Sequence, residues 1–367
     1  AIHMARGAQL RADALVNGHG GLVVLWGSRT ARAYGSFSAR GGALGGDGGF
    51  IETSAATVHV APAARITTAA PQGRAGQWLI DPVDITITDD ADALAVSGSP
   101  LAPSGVATSK VSASSLAAAL AAGDVTIESN GIGGGSGDIT VAAPVTWSSG
   151  HSLTLAAWSD ITVDAPVTLN GAHAGLTLYA NAASAAAPTT AGAGSGAVRI
   201  NAPVTIGGEN GAFTVRATAI EDLTPNGLLF GWEGKVDFLH DDATTGLPTG
   251  RLTINGNPYQ LFATLSQIDS LDGQDARCAT GDVGCSMTMT PVMDMPGQWA
   301  IARDIDASGT TYRRSLIDRL QPVTVSGLGH TIDGLTIRNV HTSNASAAYD
   351  SDAPVAPIAV AIGGSVT

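Results

Sequence analysis

Residues 273–296 hold the side chains with the greatest potential for chemistry. Two cysteines, Cys278 and Cys285, stand seven positions apart (285 − 278 = 7) and predict a disulfide that closes a short extracellular loop. Charged and thioether side chains surround the pair: Asp275, Arg277, Asp282, Met287, Met289, Met293 and Met295. Long loops on rigid scaffolds often bind partners, and methionine adapts to varied surfaces, so these residues are the candidate partner-binding site.

The alternative for this segment is a loop whose methionines pack on the scaffold, with two free thiols. Zinc requires four ligands, and no histidine pair lies nearby at ligand spacing. Haem or copper ligation by the methionines lacks a close histidine as well. The sequence therefore predicts neither a metal nor a cofactor.

Acidic pairs are the second group with chemical potential. They are His240-Asp-Asp242, Asp304-Ile-Asp306 and Asp89-Asp90. Paired carboxylates can cleave glycans by acid–base catalysis, and carboxylate clusters can bind calcium. A lyase acting on acidic sugars needs basic residues beside the acids, but the chain has only two lysines. A calcium loop is not expected either, because the sequence has no glycine-rich aspartate repeat. We interpret these pairs as solvated turns and predict no enzyme.

Composition points to an elongated repeat domain. The 367 residues include 47 glycines, 13% charged residues and 5% aromatics, with a formal net charge of −13. The absence of a basic stripe excludes nucleic-acid binding and disfavours anionic membranes. No apolar run approaches about 18 residues, so no membrane insertion is expected. We expect a monomer.

An internal repeat sets the predicted fold. Residues 138–146 read Asp-Ile-Thr-Val-Ala-Ala-Pro-Val-Thr, and residues 160–168 repeat them with one change, an offset of 22 (160 − 138). A third copy occupies residues 198–205 after an Ala/Gly-rich insertion. Short apolar–polar–apolar triplets that recur at this spacing predict stacked strands, a parallel β-helix. A β-sandwich is the alternative, but it does not explain the repeat.

Helical patterns occur in two places. Residues 114–123 combine a serine N-cap with a terminal glycine, and residues 259–271 have apolar side chains at helical spacing. We predict that both helices decorate the solenoid, which also carries extruded loops. Asn-Gly pairs such as Asn210-Gly and Asn255-Gly predict tight corners, because both residue types tolerate positive φ.

Two motifs carry a family resemblance. Residues 45–54 read Gly-Gly-Asp-Gly-Gly-Phe-Ile-Glu-Thr-Ser, and residues 76–87 read Gly-Gln-Trp-Leu-Ile-Asp-Pro-Val-Asp-Ile-Thr-Ile. Together they resemble filamentous-haemagglutinin-like exoproteins, the secreted partners of two-partner secretion systems. Residues 252–259, 297–308 and 327–339 resemble the GLUG-like region of the same exoproteins.

The resemblance implies a right-handed β-helix, all-β in class, with no catalytic motif. It also implies export of the parent protein through an outer-membrane transporter partner and display at the bacterial cell surface or secretion. Adhesion, biofilm formation and capture of haem from host carriers are the functions it suggests. We interpret Trp78, Asp81, Pro82 and Asp84 of the second motif as a structural joint, with a recognition surface as the alternative.

Four regions follow from these patterns. We interpret residues 1–4 as a cloning remnant, 5–108 as a β-helix segment ending in the joint, and 109–258 as β-helix repeats of about 22 residues. Residues 259–367 are the GLUG-like segment, cut in mid-pattern, with Asn344 in a glycosylation-type sequon. The predicted function is an adhesin that binds a host protein or glycan. Haem acquisition and polysaccharide processing are the alternatives.

Overall fold

The computed structural model describes residues 1–89, 109–130, 135–190, 192, 196–218, 228–270, 277, 297–313, 316, 324–337 and 365–366. The chain divides into two compact units. Unit 1 comprises residues 1–240 and 249–256, and unit 2 comprises residues 241–248 and 257–367. Within the described residues, no helix is both long and apolar enough to cross a membrane.

Unit 1 is a parallel β-helix, which confirms the predicted fold class. Its chain winds repeatedly through three faces, and each face is a stack of short strands paired in parallel with those of the next coil. The right-handed coiling stays a prediction, in line with the strong preference of parallel crossovers.

The first face is a nine-stranded sheet. In spatial order its strands are β1 (Ile2–Met4), β4 (Thr30–Ala33), β7 (Thr57–Val60), β11 (Ser109–Ser112), β10 (Ile85–Thr88), β13 (Ile139–Val141), β16 (Ile161–Val163), β19 (Val198–Ile200) and β22 (Leu228–Phe230).

The second face contains seven strands and a helix. Its elements are β2 (Gln9–Arg11), β5 (Ser36–Ser38), β8 (Arg65–Thr67), α1 (Ala113–Leu120), β14 (Val145–Trp147), β17 (Val167–Leu169), β20 (Val204–Ile206) and β23 (Val236–Phe238).

The third face of unit 1 contains eight strands. They are β3 (Leu22–Trp26), β6 (Phe50–Ser54), β9 (Gln77–Asp81), β12 (Asp124–Glu128), β15 (Ser152–Ala156), β18 (Gly175–Tyr179), β21 (Ala212–Arg216) and β24 (Arg251–Ile254).

Alternation of apolar and polar residues builds the core. In β13 and β16, Ile139, Val141, Ile161 and Val163 point inward and are at most 1% exposed, whereas the threonines between them face outward. Ile139 pairs with Ile161, so the 22-residue repeat is one coil (161 − 139 = 22). The next coil is longer, since Ile161 pairs with Val198 (198 − 161 = 37).

The prediction that both helices decorate the solenoid is wrong for α1, because this helix is part of the second face. It lies between β8 and β14, where Leu116 and Leu120 are fully buried. A helix is about 10 Å across, close to two strand spacings of about 4.8 Å. The first face has a matching extra layer, because β11 is inserted between β7 and β10.

Unit 2 contains eight strands and one short helix among the described residues. They are β25 (Asn257–Phe262), α2 (Leu265–Asp269), β26 (Gln298–Ile301), β27 (Ile305–Asp306), β28 (Thr311–Tyr312), β29 (Thr324–Ser326), β30 (Ile332–Asp333), β31 (Thr336–Ile337) and β32 (Ser365–Val366). Parallel pairs join β25 to β26, β26 to β29, β29 to β32, β27 to β30 and β28 to β31.

The predicted helix over residues 259–271 is wrong in its first half. Tyr259 and Phe262 belong to β25, and the helix α2 begins only at Leu265. Its N-cap, Thr264, forms a capping box with Gln267, in which each side chain bonds the other residue's backbone N–H. Pairing of β25 with β26 satisfies the backbone upstream of this cap, so the helix starts later than the apolar spacing predicts.

Candidate functional site

The outer surface of the third face is organised in columns, because consecutive strands pair in register. The central column contains five threonines in a row: Thr126, Thr154, Thr177, Thr214 and Thr253. Successive hydroxyl groups are therefore spaced by about one strand separation of 4.8 Å, and a hydroxyl group can both donate and accept a hydrogen bond. The face presents a regular polar surface on a rigid sheet.

An open groove of about 820 Å³ crosses the amino-terminal ends of strands β3 to β15. Glycine and alanine backbone lines one part, and side chains line the rest: Leu22, Phe50, Gln77, Asp124, Thr126, Ser152 and Thr154. The groove thus combines two apolar side chains with an amide, a carboxylate and several hydroxyls. Such a lining suits a neutral, hydroxyl-rich ligand with apolar patches.

Stacked glycines form the floor of this groove. A Cβ on Gly49 would lie 2.0 Å from the carbonyl oxygen of Gly21, and one on Gly76 would lie 1.9 Å from that of Gly49. The backbone of successive coils is therefore closer here than any side chain permits. The sequence carries a signal for this arrangement that our prediction missed, since Gly21, Gly49 and Gly76 recur at a nearly constant spacing.

Hydrogen bonds fix the polar wall of the groove. Gln77 Nε2 donates to Thr126 Oγ1 at 2.7 Å. Asp124 Oδ1 accepts from the Ser152 backbone N–H at 2.8 Å and lies 3.6 Å from His151 Nδ1. These contacts orient the amide and the carboxylate before any ligand arrives, which reduces the ordering cost of binding.

A short acidic column lies at the other end of the same strands. Asp81 and Glu128 follow the paired residues Ile80 and Ile127 directly, and both are half-buried. Asn130 Nδ2 donates to Asp81 at 2.8 Å, and the Ala185 backbone N–H donates to Glu128 at 2.9 Å.

Burial raises the pKa of both acids. The neighbouring charge of Glu52 adds to this effect for Asp81, and the charge of Asp81 adds to it for Glu128. The hydrogen bonds from Asn130 and Ala185 oppose the rise in each case. Carboxyl groups with raised pKa values are typical of catalytic acids and bases. Here, however, both carboxyl groups accept hydrogen bonds from neighbouring residues of the fold.

We predict that Glu128→Gln weakens the pH dependence of stability. A raised pKa means that the folded state holds the proton more tightly, so this contribution is present at low pH and is lost as pH rises through the folded-state pKa. Glutamine keeps an oxygen for the Ala185 N–H but cannot ionise. Urea unfolding between about pH 4 and 7 should therefore show a smaller fall of the unfolding free energy with rising pH in the variant.

The matched control is Glu209→Gln, since Glu209 is an exposed glutamate of the same unit. We expect its pH profile to follow that of the parent chain. A Glu128→Gln profile parallel to the parent's would show that this carboxyl does not carry the effect.

The residues of the predicted joint lie in strand β9 and in the corner between β9 and β10. Trp78 is 1% exposed and its Nε1 donates to Thr53 Oγ1 at 3.2 Å. Pro82 is buried, and Asp81 lies beside it in the acidic column. Asp84 Oδ1 accepts from the backbone N–H of Gly137 at 2.6 Å, which ties this corner to the chain that precedes β13.

Most of the predicted partner-binding site lies outside the described residues. This applies to Asp275, Cys278, Asp282, Cys285, Met287, Met289, Met293 and Met295, and so to the predicted disulfide. Arg277 is described and exposed. It lines a pocket of about 340 Å³ in unit 2, together with Asp269, Asp304 and Asp306.

Where they are described, the acidic pairs lie in or next to turns, and Asp306 is the last residue of strand β27. Asp242 Oδ1 accepts from the backbone N–H of Thr244 at 3.0 Å and Thr245 at 2.8 Å, and Asp306 Oδ1 accepts from that of Ser308 at 2.9 Å. Among the residues that the structure describes, no group of three or more His, Cys, Asp or Glu side chains is arranged to hold a metal ion.

No family model matches the chain, and no curated protein matches it.

Proposed function

We propose that this chain is a segment of a large secreted or surface-displayed bacterial exoprotein of the filamentous-haemagglutinin type, acting as an adhesin. The groove on the third face of unit 1 carries the proposal, because it offers a preformed binding surface on a rigid stack of strands. Eight strands at about 4.8 Å give that face a height of about 34 Å, enough for several units of a polymer.

The chemistry of the groove favours a neutral glycan strand as the ligand. Gln77, Ser152 and Thr154 offer hydrogen bonds to sugar hydroxyls, while Leu22 and Phe50 offer apolar surface to the faces of sugar rings. Asp124 and the net charge of −13 disfavour acidic polymers at this surface. Leu22 is 63% exposed and so is accessible to a ligand.

The family resemblance supports the same surface. Gly48, Gly49 and Phe50 of the first motif, and Gly76 and Gln77 of the second, all line the groove. The two motifs thus bring their residues together at one place on the molecule, although Trp78 and Asp84 of the second motif hold the fold.

Two other functions remain proposals with narrower support. Capture of a host haem carrier rests on residues 273–296, of which the structure describes Arg277. Polysaccharide processing rests on Asp81 and Glu128, whose raised pKa values favour it.

A glycan array with the purified chain tests the adhesin proposal. We expect binding to neutral glycans, weakened about tenfold or more by Gln77→Ala, a loss of about 1.4 kcal/mol. Gln260→Ala is the matched control, because Gln260 is another exposed strand glutamine and lies in unit 2. It should bind as the parent chain does.

The same samples separate the alternatives. If the parent chain releases new reducing ends from a polysaccharide and Glu128→Gln abolishes this release, the chain is an enzyme and the adhesin proposal fails. Tight binding of a haem carrier that deletion of residues 273–296 removes would favour haem acquisition. An array without neutral-glycan binding, or equal binding by parent and Gln77→Ala, would refute the groove as the ligand site.

A further inference from the structure

Four basic residues form a column across the first face of unit 1. His3 pairs with Arg32, Arg32 with His59, and His59 with Lys110, on strands β1, β4, β7 and β11. One strand spacing separates each pair, so the backbone positions of Arg32 and Lys110 are about 10 Å apart. No sequence pattern predicts this column, because the inserted strand β11 brings Lys110 beside His59.

Arg32 and His59, in the middle of the column, are buried and carry nitrogens without a hydrogen-bond partner. Arg32 is 6% exposed and His59 is 0% exposed, and Lys110 is half-buried. Neither ring nitrogen of His59 has a hydrogen-bond partner, nor has Nε of Arg32. The ion pairs within the described part of the chain involve other residues.

Such an arrangement is unfavourable unless a counter-charge joins it. Buried polar groups in proteins are nearly always hydrogen-bonded, and adjacent positive charges repel. Burial together with the positive charges of Arg32 and Lys110 lowers the pKa of His59 to about 4. His3, the remaining member, instead makes an edge-on contact with Tyr34, with ring centroids 5.1 Å apart.

We propose that Arg32, His59 and Lys110 form a binding site for a doubly charged tetrahedral oxyanion, either sulfate or phosphate. The guanidinium offers a planar fork of N–H donors, the ammonium a compact charge and the imidazole one further N–H. A tetrahedral oxyanion has enough acceptor oxygens to engage all three side chains at once. The site lies on the first face, so it is independent of the glycan groove.

Calorimetric titration with sodium sulfate, at ionic strength held constant with chloride, tests the site. Sulfate remains a dianion across the pH range, so any pH dependence reports the protein. A bound dianion must raise the pKa of His59 from about 4, so binding should be about tenfold tighter near pH 5 than near pH 7.5. Sulfate should also raise the midpoint of thermal unfolding more than chloride does. This difference should be larger near pH 5 than near pH 7.5.

Variants assign the site to these side chains. Arg32→Gln should weaken sulfate binding at least tenfold, whereas His59→Gln should retain part of it and lose its pH dependence. Arg251→Gln, at an exposed arginine on the third face, should bind sulfate as the parent does. Should Arg32→Gln fail to fold, the parent's pH dependence and its loss in His59→Gln decide the question.

Two further arms identify the source of the anion. Near pH 7.5, inorganic phosphate is compared with a sugar phosphate, whose phosphate group is also a dianion. Tighter binding of the ester indicates an oxyanion carried by a larger ligand, and tighter binding of the free ion indicates an ion site. Absence of any sulfate effect beyond that of chloride, or equal affinity in Arg32→Gln and the parent, would overturn the proposal.

Discussion

Replacing Trp78 with alanine is expected to lower the free energy of unfolding of unit 1 by about 3–5 kcal/mol. Trp78 is the largest of the fully buried side chains and is 1% exposed. Its removal leaves a cavity between β6, β9 and β12, where Trp78 pairs with Ile51 on one side and Val125 on the other. It also leaves the buried hydroxyl of Thr53 without the indole N–H that donates to it at 3.2 Å.

Trp26→Ala is the matched control, since Trp26 lies in strand β3 of the same face and is 62% exposed. Its replacement should change the unfolding free energy by no more than about 0.5 kcal/mol. Far-ultraviolet circular dichroism during urea unfolding measures both variants without relying on tryptophan emission. Similar losses in the two variants would contradict the assignment of Trp78 to the core.

The second large effect is expected from Gly76→Ala, a change of one methyl group. Its Cβ would lie 1.9 Å from the carbonyl oxygen of Gly49 and 2.7 Å from the carbonyl carbon of Gly48. Both obstacles are backbone, so no side-chain rotation relieves them. Overpacking usually costs about 1–3 kcal/mol, and we expect about 3 kcal/mol here.

Gly45→Ala is the control for this substitution. A Cβ on Gly45 meets only the Asn17 side chain, at 3.4 Å. The unfolding free energy of this variant should stay within about 0.5 kcal/mol of the parent's. If Gly76→Ala were equally mild, the close stacking of backbone beneath the groove would be refuted.

The repeat in the middle of the chain was sufficient to predict the fold, because identical residues of successive repeats pair with each other in the structure. Ile139 and Ile161, Thr140 and Thr162, and Val141 and Val163 pair one above the other, as the repeat offset requires. Apolar alternation assigned each residue to the core or the surface. Local signals of this kind report strand identity and register well, since a one-residue slip would expose the core side chains.

The spacing of apolar residues gave a wrong prediction where both a helix and a strand could bury the same side chains. Leu261, Phe262, Leu265 and Ile268 lie at helical spacing, yet the first two are buried from a strand and the last two from a helix. Residues 257–262 form a strand and not a helix because β26, which lies far along the chain, supplies their backbone hydrogen-bond partners. Gln260, for example, pairs with Trp299. Sequence spacing alone contains no information about that partner.

Both candidate sites depend on residues that are distant in sequence. In the basic column, Arg32 and His59 come from consecutive coils, whereas nearly twice that length of chain separates His59 from Lys110. Coil lengths vary, so a column cannot be found by counting a fixed period. The glycine floor of the groove was the exception, because its period is nearly constant over three coils.

The out-of-sequence strand β11 has a consequence for how the molecule assembles. A chain that folds from its amino terminus can stack β1 to β9 in the order in which they emerge. Strand β10 then has no proper neighbour, because both of its partners emerge later: β11 begins only at Ser109, and β13 only at Ile139. We expect growth of the solenoid to slow there, although repeat proteins otherwise propagate freely from coil to coil.

During that pause β10 faces a competing partner. Ile85 and Ile87 alternate like Val111 of β11, so β10 can pair directly with the open edge of β7 and close the gap that β11 needs. A chain trapped in this way would expel α1, whose buried Leu116 and Leu120 belong between β8 and β14. From the strand order we therefore expect a slow folding step at β10, because chains with β10 paired to β7 must reopen before β11 and α1 can insert.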